Sequence, residues 1–498
     1  MWAISRPLAG LRANFLNKLN PVEAQKKQLR KIITLGQSCK FATQHGLKPN
    51  MTVEDYQASV PLRGYDEFWT EYMAKDFPVL TNLIWPGTFN YFSWSSGTTT
   101  GKRKYIPFNS LLAKNYTWAG LDLLTFHFIN HPNSRLFSGK TLILGAPESF
   151  QELAPGIFLG EVSGLITSRL IFPFNLCKFP PKHVARITDW YERINRVAEL
   201  VKTTNITGLG GMPSWLLVFF QKLGLEEDRG FWKKIFPNLC FFVHGGVNFN
   251  IYLKRFQNFA EGLRVDFREV YPASEGFIAV ADRGFNEGLR LLVGHNIFFE
   301  FVPVQELNSK NPRRFWVKNI EPNVEYAIII TNPAGLWSYV LGDTVKFVDI
   351  NPPRLLITGR TKQNLSVFGE HLIQEELEKA LSEAASAFGT SIADWVVFGV
   401  LEEQNNDIGY HHFVIETSSE VDAEKLAISI DKTLQNLNDD YFEHRQQGCG
   451  LGPPKVTLVY EGFFEKWMKA QGRVGDQYKV PRVISFEKGK ELLEFARL

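Results

Sequence analysis

Apolar residues recur along this chain in two rhythms. Ile187, Trp190, Tyr191, Ile194, Val197, Ala198 and Val201 fall three and four positions apart, the spacing of one helix face. A second helix is expected between Pro213 and Gly224, with proline near its start and glycine past its end. Short apolar runs alternate with these helices. Residues 141–146 read as a buried strand ending in a turn, and residues 89–94, 239–243, 289–293 and 326–331 read as further strands. Strands that alternate with helices imply an α/β body. Nearer the start, the pattern from Pro21 to about Gly46 is helical and basic.

The rhythm changes toward the C-terminus. Ile373, Leu377, Leu381, Ala384 and Phe388 line one helix face, followed by strands at 395–400 and 411–415, a helix over about 423–441 and a strand at 456–460. This is a compact α+β pattern. The chain of 498 residues is too long for one hydrophobic core. We therefore expect a large N-terminal α/β domain over 1–359, with mixed sheets and packed helices, and a small mobile α+β domain over 360–498. The hinge falls near 359–363, around Gly359, because a hinge needs only a few residues that absorb a backbone rotation.

Charge narrows the partners. Lys plus Arg total 55 against 52 Asp plus Glu, and a net charge of +3 over so long a chain gives no general case for nucleic-acid binding. Cys39, Cys177, Cys240 and Cys449 lie far apart, with no metal-ligand spacing, as expected of reduced thiols in a cytoplasmic protein. Residues 1–20 carry Arg6, Arg12 and Lys18 with no acid and with scattered apolar positions. They read as an amphipathic helix, with a transit peptide as the other reading. No apolar run approaches the ~18 residues of a membrane span.

The most informative stretch runs from Ser95 to Lys104. It packs five hydroxyls, two glycines and three cations into ten positions. Glycines let backbone N–H groups approach an anion, hydroxyls donate to phosphate oxygens, and cations offset their charge. A Walker loop is excluded. Only three residues separate Gly97 from Gly101, and Arg103, not a hydroxyl residue, follows Lys102. A plain surface loop is the bland alternative.

The form Ser95-Ser96-Gly97-Thr98-Thr99, then Gly101, Lys104, Ile106 and Pro107, resembles the phosphate loop of adenylate-forming enzymes. It is closest to that of the Gretchen Hagen family of acyl-acid amido synthetases. Gln28-Leu29, His45-Gly46, Tyr56-Gln57, Val60-Pro61 and Tyr65 resemble that family's N-terminal segment. Tyr271-Pro272-Ala273-Ser274-Glu275-Gly276 resembles its second nucleotide motif, Tyr339-Val340-Leu341-Gly342-Asp343 its third, and Gln477-Tyr478-Lys479-Val480-Pro481-Arg482 its terminal signature. Four motifs in the family's order make the resemblance specific and extend it over most of the chain.

The resemblance implies a firefly-luciferase-like architecture and a ligase. Such an enzyme uses ATP and Mg²⁺ to turn a carboxylic acid into an acyl-adenylate, then passes the acyl group to an amine, usually of an amino acid. An acyl-CoA ligase and a nucleotide-binding protein without ligase activity are the alternatives. By the resemblance, Ser95, Ser96, Thr98, Thr99 and Lys104 hold phosphates. Glu275 places Mg²⁺, and Tyr271, Ala273 and Ser274 border the adenine. Asp343 accepts the ribose hydroxyls, a role that survives Val340 standing where the family commonly has Arg. Arg360 is a candidate for ribose or phosphate. Lys479 reaches the α-phosphate from the small domain. Gly245 and Gly246, after His244, are placed to lie against the adenine or to form a plain turn, and His244 is read as structural. Lys102, Arg103 and Lys362 are weaker candidates. The partners are a small carboxylic acid and an amine, with no nucleic acid or membrane, and the expected state is a monomer or weak dimer.

Overall fold

The computed structural model describes residues 2–95, 104–170, 174–224, 229–247, 249–284, 286–361, 364–390, 392–402, 408–417, 419, 421–446, 450–471 and 480–497. Ser96, Thr98, Thr99, Lys102, Arg103, Lys362, Cys449 and Lys479 lie outside them, as do the side chain of Ser95 and those of residues 2–6.

Among the described residues, one sheet of eleven strands runs through the large domain. Its two halves differ. On one side of Asp266–Ala273 the strands Gly276–Val280, Leu289–Leu291, Pro353–Arg360, Tyr339–Ile350, Glu325–Thr331 and Phe298–Pro303 follow antiparallel. On the other side Phe241–His244, Ile206–Gly211, Lys140–Leu144 and Lys178–Phe179 follow parallel. Asp266–Ala273 is thus the point where the sheet changes sense. Ligands of α/β sheets collect beyond the carboxyl ends of strands at such a point. A second sheet pairs Lys104–Phe108, Tyr91–Ser95, Ile157–Glu161 and Gln151–Ala154. Its antiparallel register sets Ser95 opposite Lys104, so the two ends of the phosphate-loop candidate are held together.

Local chemistry fixes the elements. Asp189 accepts the Glu192 N–H at 2.7 Å, so the amphipathic helix begins at Trp190 and not at Ile187. Helix Pro213–Lys222 starts on proline and is followed by Gly224 at φ +78°. The strand expected at 141–146 is Lys140–Leu144, and it is only half buried: Leu142 and Leu144 point into the core. The helix expected over 423–441 breaks at Asn438, which leaves the helical region and caps a second helix by accepting from Tyr441 N–H at 2.8 Å. Phe388 ends the helix Gln374–Ala387 as an exposed C-cap and does not share its buried face. The N-terminal helix Trp2–Lys18 packs on Ser110–Asn130 through Ala9 and Leu16 and through Arg12, whose Nε lies 2.7 Å from Asp122 Oδ1.

In the small domain, strand alternation sends Val397, Phe413 and Ile415 to one face and Val396, Phe398 and Val414 to the other. Helices Gln374–Ala387 and Ala423–Leu437 cover the first face, and Phe463–Ala470 and Phe486–Phe495 cover the second. The first face belongs to a core that also contains Leu216, Phe220 and Phe256 of the large domain. Polar ties span the same junction. Ser214 Oγ donates to Phe368 O at 2.9 Å, and Tyr252 OH donates to Val367 O at 2.8 Å.

Candidate active site

The strand Asp266–Ala273 delivers its side chains alternately to the two faces of the sheet, and its end opens on a cavity of about 790 Å³. Lys104, Gly246, Tyr271, Ala273, Ser274, Glu275, Asp343 and Arg360 all line that cavity. Residues from five separate segments therefore converge as the sequence motifs imply. Gly245 does not. A Cβ there would sit 2.4 Å from Val270 O, so this glycine serves close strand packing while Gly246, at φ +88°, faces the cavity.

At one end, Glu275 and Lys104 are both buried. Burial raises the Glu275 carboxyl above its usual range, opposed by the charge of Lys104. Burial likewise lowers the Lys104 ammonium, opposed by Glu275. Glu275 Oε1 accepts from Tyr339 OH at 3.2 Å, and its carbonyl accepts from Asn332 Nδ2 at 2.6 Å. Tyr65 lends its ring face to Lys104, 5.5 Å from the ammonium. Gly276 follows at φ +155°, where a Cβ would meet Ile297 Cδ1 at 2.5 Å. Tyr116 OH donates to the carbonyls of Ala273 and Ser274 and holds the motif in place.

The middle of the cavity is built by register. Asp343 and Arg360 are ladder partners, and their side chains meet with Nε 2.9 Å from Oδ1. Tyr271 OH donates to Asp343 Oδ2 at 2.5 Å. A carboxylate has about four lone-pair positions, so acceptor capacity for two ribose hydroxyls remains. Arg360 pairs with Asp343 through its Nε, so one edge of its guanidinium is taken up in this arrangement of the cavity wall. Asp343→Asn is expected to raise the KM for ATP by about 10-fold, since hydrogen bonds to charged groups contribute ~1.5–3 kcal/mol. It should also erase any preference for ATP over 2′-deoxy-ATP, a comparison read directly by initial rates.

Two further titratable residues enter the cavity without having been signalled by a motif. Glu269, two positions before Tyr271 and on its face of the strand, has its carboxyl pushed up to about 7 by burial. His371 enters from the small domain. Strand alternation back from Tyr271 offered a signal for the first, and nothing local did for the second. His244 is structural, as expected. It is buried and stacks on Phe249 with ring centres 3.6 Å apart.

Among the described residues no three His, Cys, Asp or Glu side chains gather as a metal cage. A single carboxylate facing a phosphate site is nonetheless the donor set that Mg²⁺ takes, with water and phosphate oxygens completing its shell. Glu275 fits that need.

A second, apolar cavity of about 940 Å³ adjoins the same helix as the first. Phe89, Tyr91, Phe108, Leu121, Phe137 and Leu209 contribute to its wall. Helix Val162–Thr167 borders both spaces, with Val162 on the first and Ile166 on the second. Tyr116 lines the apolar space while its hydroxyl holds the Ala273–Ser274 carbonyls on the other side.

The sequence matches the GH3 family N-terminal domain over residues 15–202, the central domain over 290–360 and the C-terminal domain over 375–488. The chain belongs to the GH3 family. This GH3 chain is 22% identical to indole-3-acetic acid-amido synthetase GH3.3 of Arabidopsis thaliana, over 94% of this chain and 90% of that protein. It is 21% identical to jasmonoyl–L-amino acid synthetase GH3.5 of Oryza sativa subsp. japonica, over 95% and 94%. In structure it is similar to GH3.15 acyl acid amido synthetase, with a TM-score of 0.60 at 16% identity over 98% of this chain and 95% of that one. It is also similar to 2-hydroxyisobutyryl-CoA ligase in complex with an acyl-AMP and CoA, with a TM-score of 0.54 at 15% identity over 95% and 92%. The GH3 chain is a ligase with the fold of adenylate-forming enzymes.

Proposed function

We propose that this chain joins an apolar carboxylic acid to the amine of an amino acid through an acyl-adenylate, using ATP. What carries the reading is the convergence of Lys104, Glu275, Asp343 and Tyr271 on one cavity, with a large apolar cavity on the same bordering helix Val162–Thr167. Asp343 holds the ribose. Lys104, with Ser95, Ser96, Thr98 and Thr99, offsets and holds the phosphates in line with the acid's carboxylate. Glu275 would hold Mg²⁺, which when bound neutralises charge on the phosphates. The acid's body occupies the apolar cavity, which keeps water from the adenylate. Lys479 supports the α-phosphate from the small domain, and the hinge at 359–363 then lets that domain turn. Turning must disturb the core that Leu216 and Phe220 share with Phe368 and break the tie from Ser214 Oγ to Phe368 O. The proposal takes the enzyme to be cytoplasmic and a monomer or weak dimer; among the described residues no helix is long and apolar enough to cross a membrane.

ATP–pyrophosphate exchange over a panel of carboxylic acids tests the first step, and product analysis with amino acids or CoA tests the second. Thioester formation without amide would favour the acyl-CoA ligase reading. No exchange on any acid would remove adenylation.

The apolar cavity makes a sharper prediction. Gly120 lies on its wall in the helix Ser110–Asn130, and a Cβ there meets nothing within 4 Å. Gly120→Leu should fill the space without strain. Exchange with bulky acids should fall about 10–100-fold relative to small ones, the range of hydrophobic-pocket discrimination. Thermal stability should rise slightly, because leucine replaces glycine in a helix. Unchanged selectivity would move the acid out of this cavity.

A further inference from the structure

One wall of the nucleotide cavity belongs to the small domain, and the motifs assign it no chemistry. Ser366 and His371 form it. His371 adopts φ +45°, the left-handed region that a non-glycine residue rarely enters and that often marks a functional position. Its Nδ1 lies 3.0 Å from Asp440 Oδ2, and Asp440 stands in the first turn of the helix Asp439–Arg445. A carboxylate on one ring nitrogen fixes the tautomer and orients the ring. The Ser366 hydroxyl is buried on the same wall and has no hydrogen-bond partner among the described residues. A buried hydroxyl without a partner is costly, so it suits an incoming polar group.

Three neighbouring titratable groups are engaged elsewhere. Glu370, next to His371 in sequence, turns inward. It accepts from Val367 N–H and Phe368 N–H and lies 2.8 Å from His411 Nε2. His444 Nδ1 meets the Asp440 carbonyl at 2.7 Å, and Trp215 Nε1 donates to its Nε2 at 3.2 Å. Glu376 caps Ile373 N–H at 3.0 Å. Across the cavity stand Lys104, Glu269, Glu275, Asp343 and Arg360.

Building on the amide-forming reading above, we propose that Ser366, His371 and Asp440 form the acceptor-amine site, with His371 as general base. An ammonium ion has no free lone pair. One proton passes from the amine to the second ring nitrogen of His371, and Asp440 holds the resulting imidazolium. The amine nitrogen then forms the C–N bond at the acyl carbon. The bond from that carbon to the adenylate oxygen breaks, and the electron pair leaves with AMP. The nitrogen's remaining extra proton goes to solvent or to the departing phosphate. Ser366 Oγ contacts a polar group of the acceptor. The small domain thus carries a base in the arrangement described here, while its Lys479 serves the other half-reaction.

The test separates the two steps. With the full-length chain and an acid that supports exchange, acyl transfer is followed to a mixture of common amino acids and, separately, to hydroxylamine, which is largely unprotonated at neutral pH. For His371→Ala, amide formation with amino acids is expected to fall about 10²-fold more than ATP–pyrophosphate exchange does, the usual contribution of a positioned base. Hydroxylamine transfer should be nearly spared, and added imidazole should restore part of the loss. Asp440→Asn should likewise lower amide formation with amino acids more than ATP–pyrophosphate exchange, because the ring loses the carboxylate that orients it. His371→Gln, which keeps bulk and polarity at the position, should behave as His371→Ala does. Amide formation that falls no more than exchange, or hydroxylamine transfer that falls in step with amino-acid transfer, overturns the proposal. If the unaltered chain shows no exchange with any acid, the adenylation reading fails first and this proposal falls with it. If exchange stands and only the His371 result fails, adenylation survives alone.

Discussion

Replacing Glu275 by Gln is expected to reduce ATP–pyrophosphate exchange by about 10²–10³-fold, the loss seen when one electrostatic element of a transition-state site is removed. The substitution keeps shape and hydrogen bonding. Tyr339 OH can still donate to the side-chain carbonyl, and the Asn332 contact is to the main chain. What disappears is the negative charge. Two consequences follow. Any cation on the phosphates loses its carboxylate, so exchange in the variant should rise with Mg²⁺ concentration well past the point where the parent saturates. Lys104, buried and already weakened as an ammonium, also loses the charge that opposes its desolvation. Removing one partner from buried charges costs about 3–5 kcal/mol when nothing relaxes. Lys104→Gln combined with Glu275→Gln should then recover stability lost by either single change while exchange stays absent, a coupling that a double-mutant cycle measures. Full exchange in the single variant would place Glu275 outside the chemistry.

The same pair shows why this much of the site was legible in the sequence. Lys104 begins a strand of one sheet and Glu275 stands in the turn between two strands of another, 171 positions apart by their numbers (275 minus 104), yet each sits in a motif whose neighbours have local reasons to be what they are. Gly276 favours glycine because its φ is +155° and a Cβ would press on Ile297, and Ser95 returns to Lys104 because the two are strand partners. Local necessity makes a motif, and a motif can be read. Glu269 has no such necessity. It reaches the cavity through strand alternation back from Tyr271, a pattern that looks the same wherever a strand borders a space. His371 and Asp440 are 69 positions apart and meet only because Asn438 breaks a helix and starts another that aims Asp440 back. The expected unbroken helix over 423–441 hid that meeting. Gly245 failed in the opposite way. It looked like a ligand-facing glycine, but the close neighbour that excludes a side chain is the Val270 carbonyl.

His244→Phe is expected to flatten the acid sensitivity of the large domain. Burial holds the His244 imidazole at about 3, against an ordinary value of 6.5, so the folded protein carries it neutral until strongly acidic pH. The unfolded chain takes up its proton near 6.5. Stability from this residue is therefore complete above about pH 6.5 and is lost as pH falls toward 3, reaching roughly 5 kcal/mol at the end of that window and ~2 kcal/mol at about pH 5. Phenylalanine preserves the stack on Phe249 and has no proton to gain. Urea midpoints read by tryptophan fluorescence at about pH 7.5 and pH 5 should differ less in the variant than in the parent, by an amount equivalent to ~2 kcal/mol. His412, held at about 4 by burial and then by Lys455, sits in the small domain and leaves its own acid sensitivity in both proteins. An unchanged pH slope in His244→Phe would mean that His244 protonates in the folded state. The residue lies directly before Gly245 and Gly246, so acid that charges it should also disturb the wall of the nucleotide cavity. Loss of ATP binding should accordingly precede global unfolding as pH falls in the parent and coincide with it in the variant.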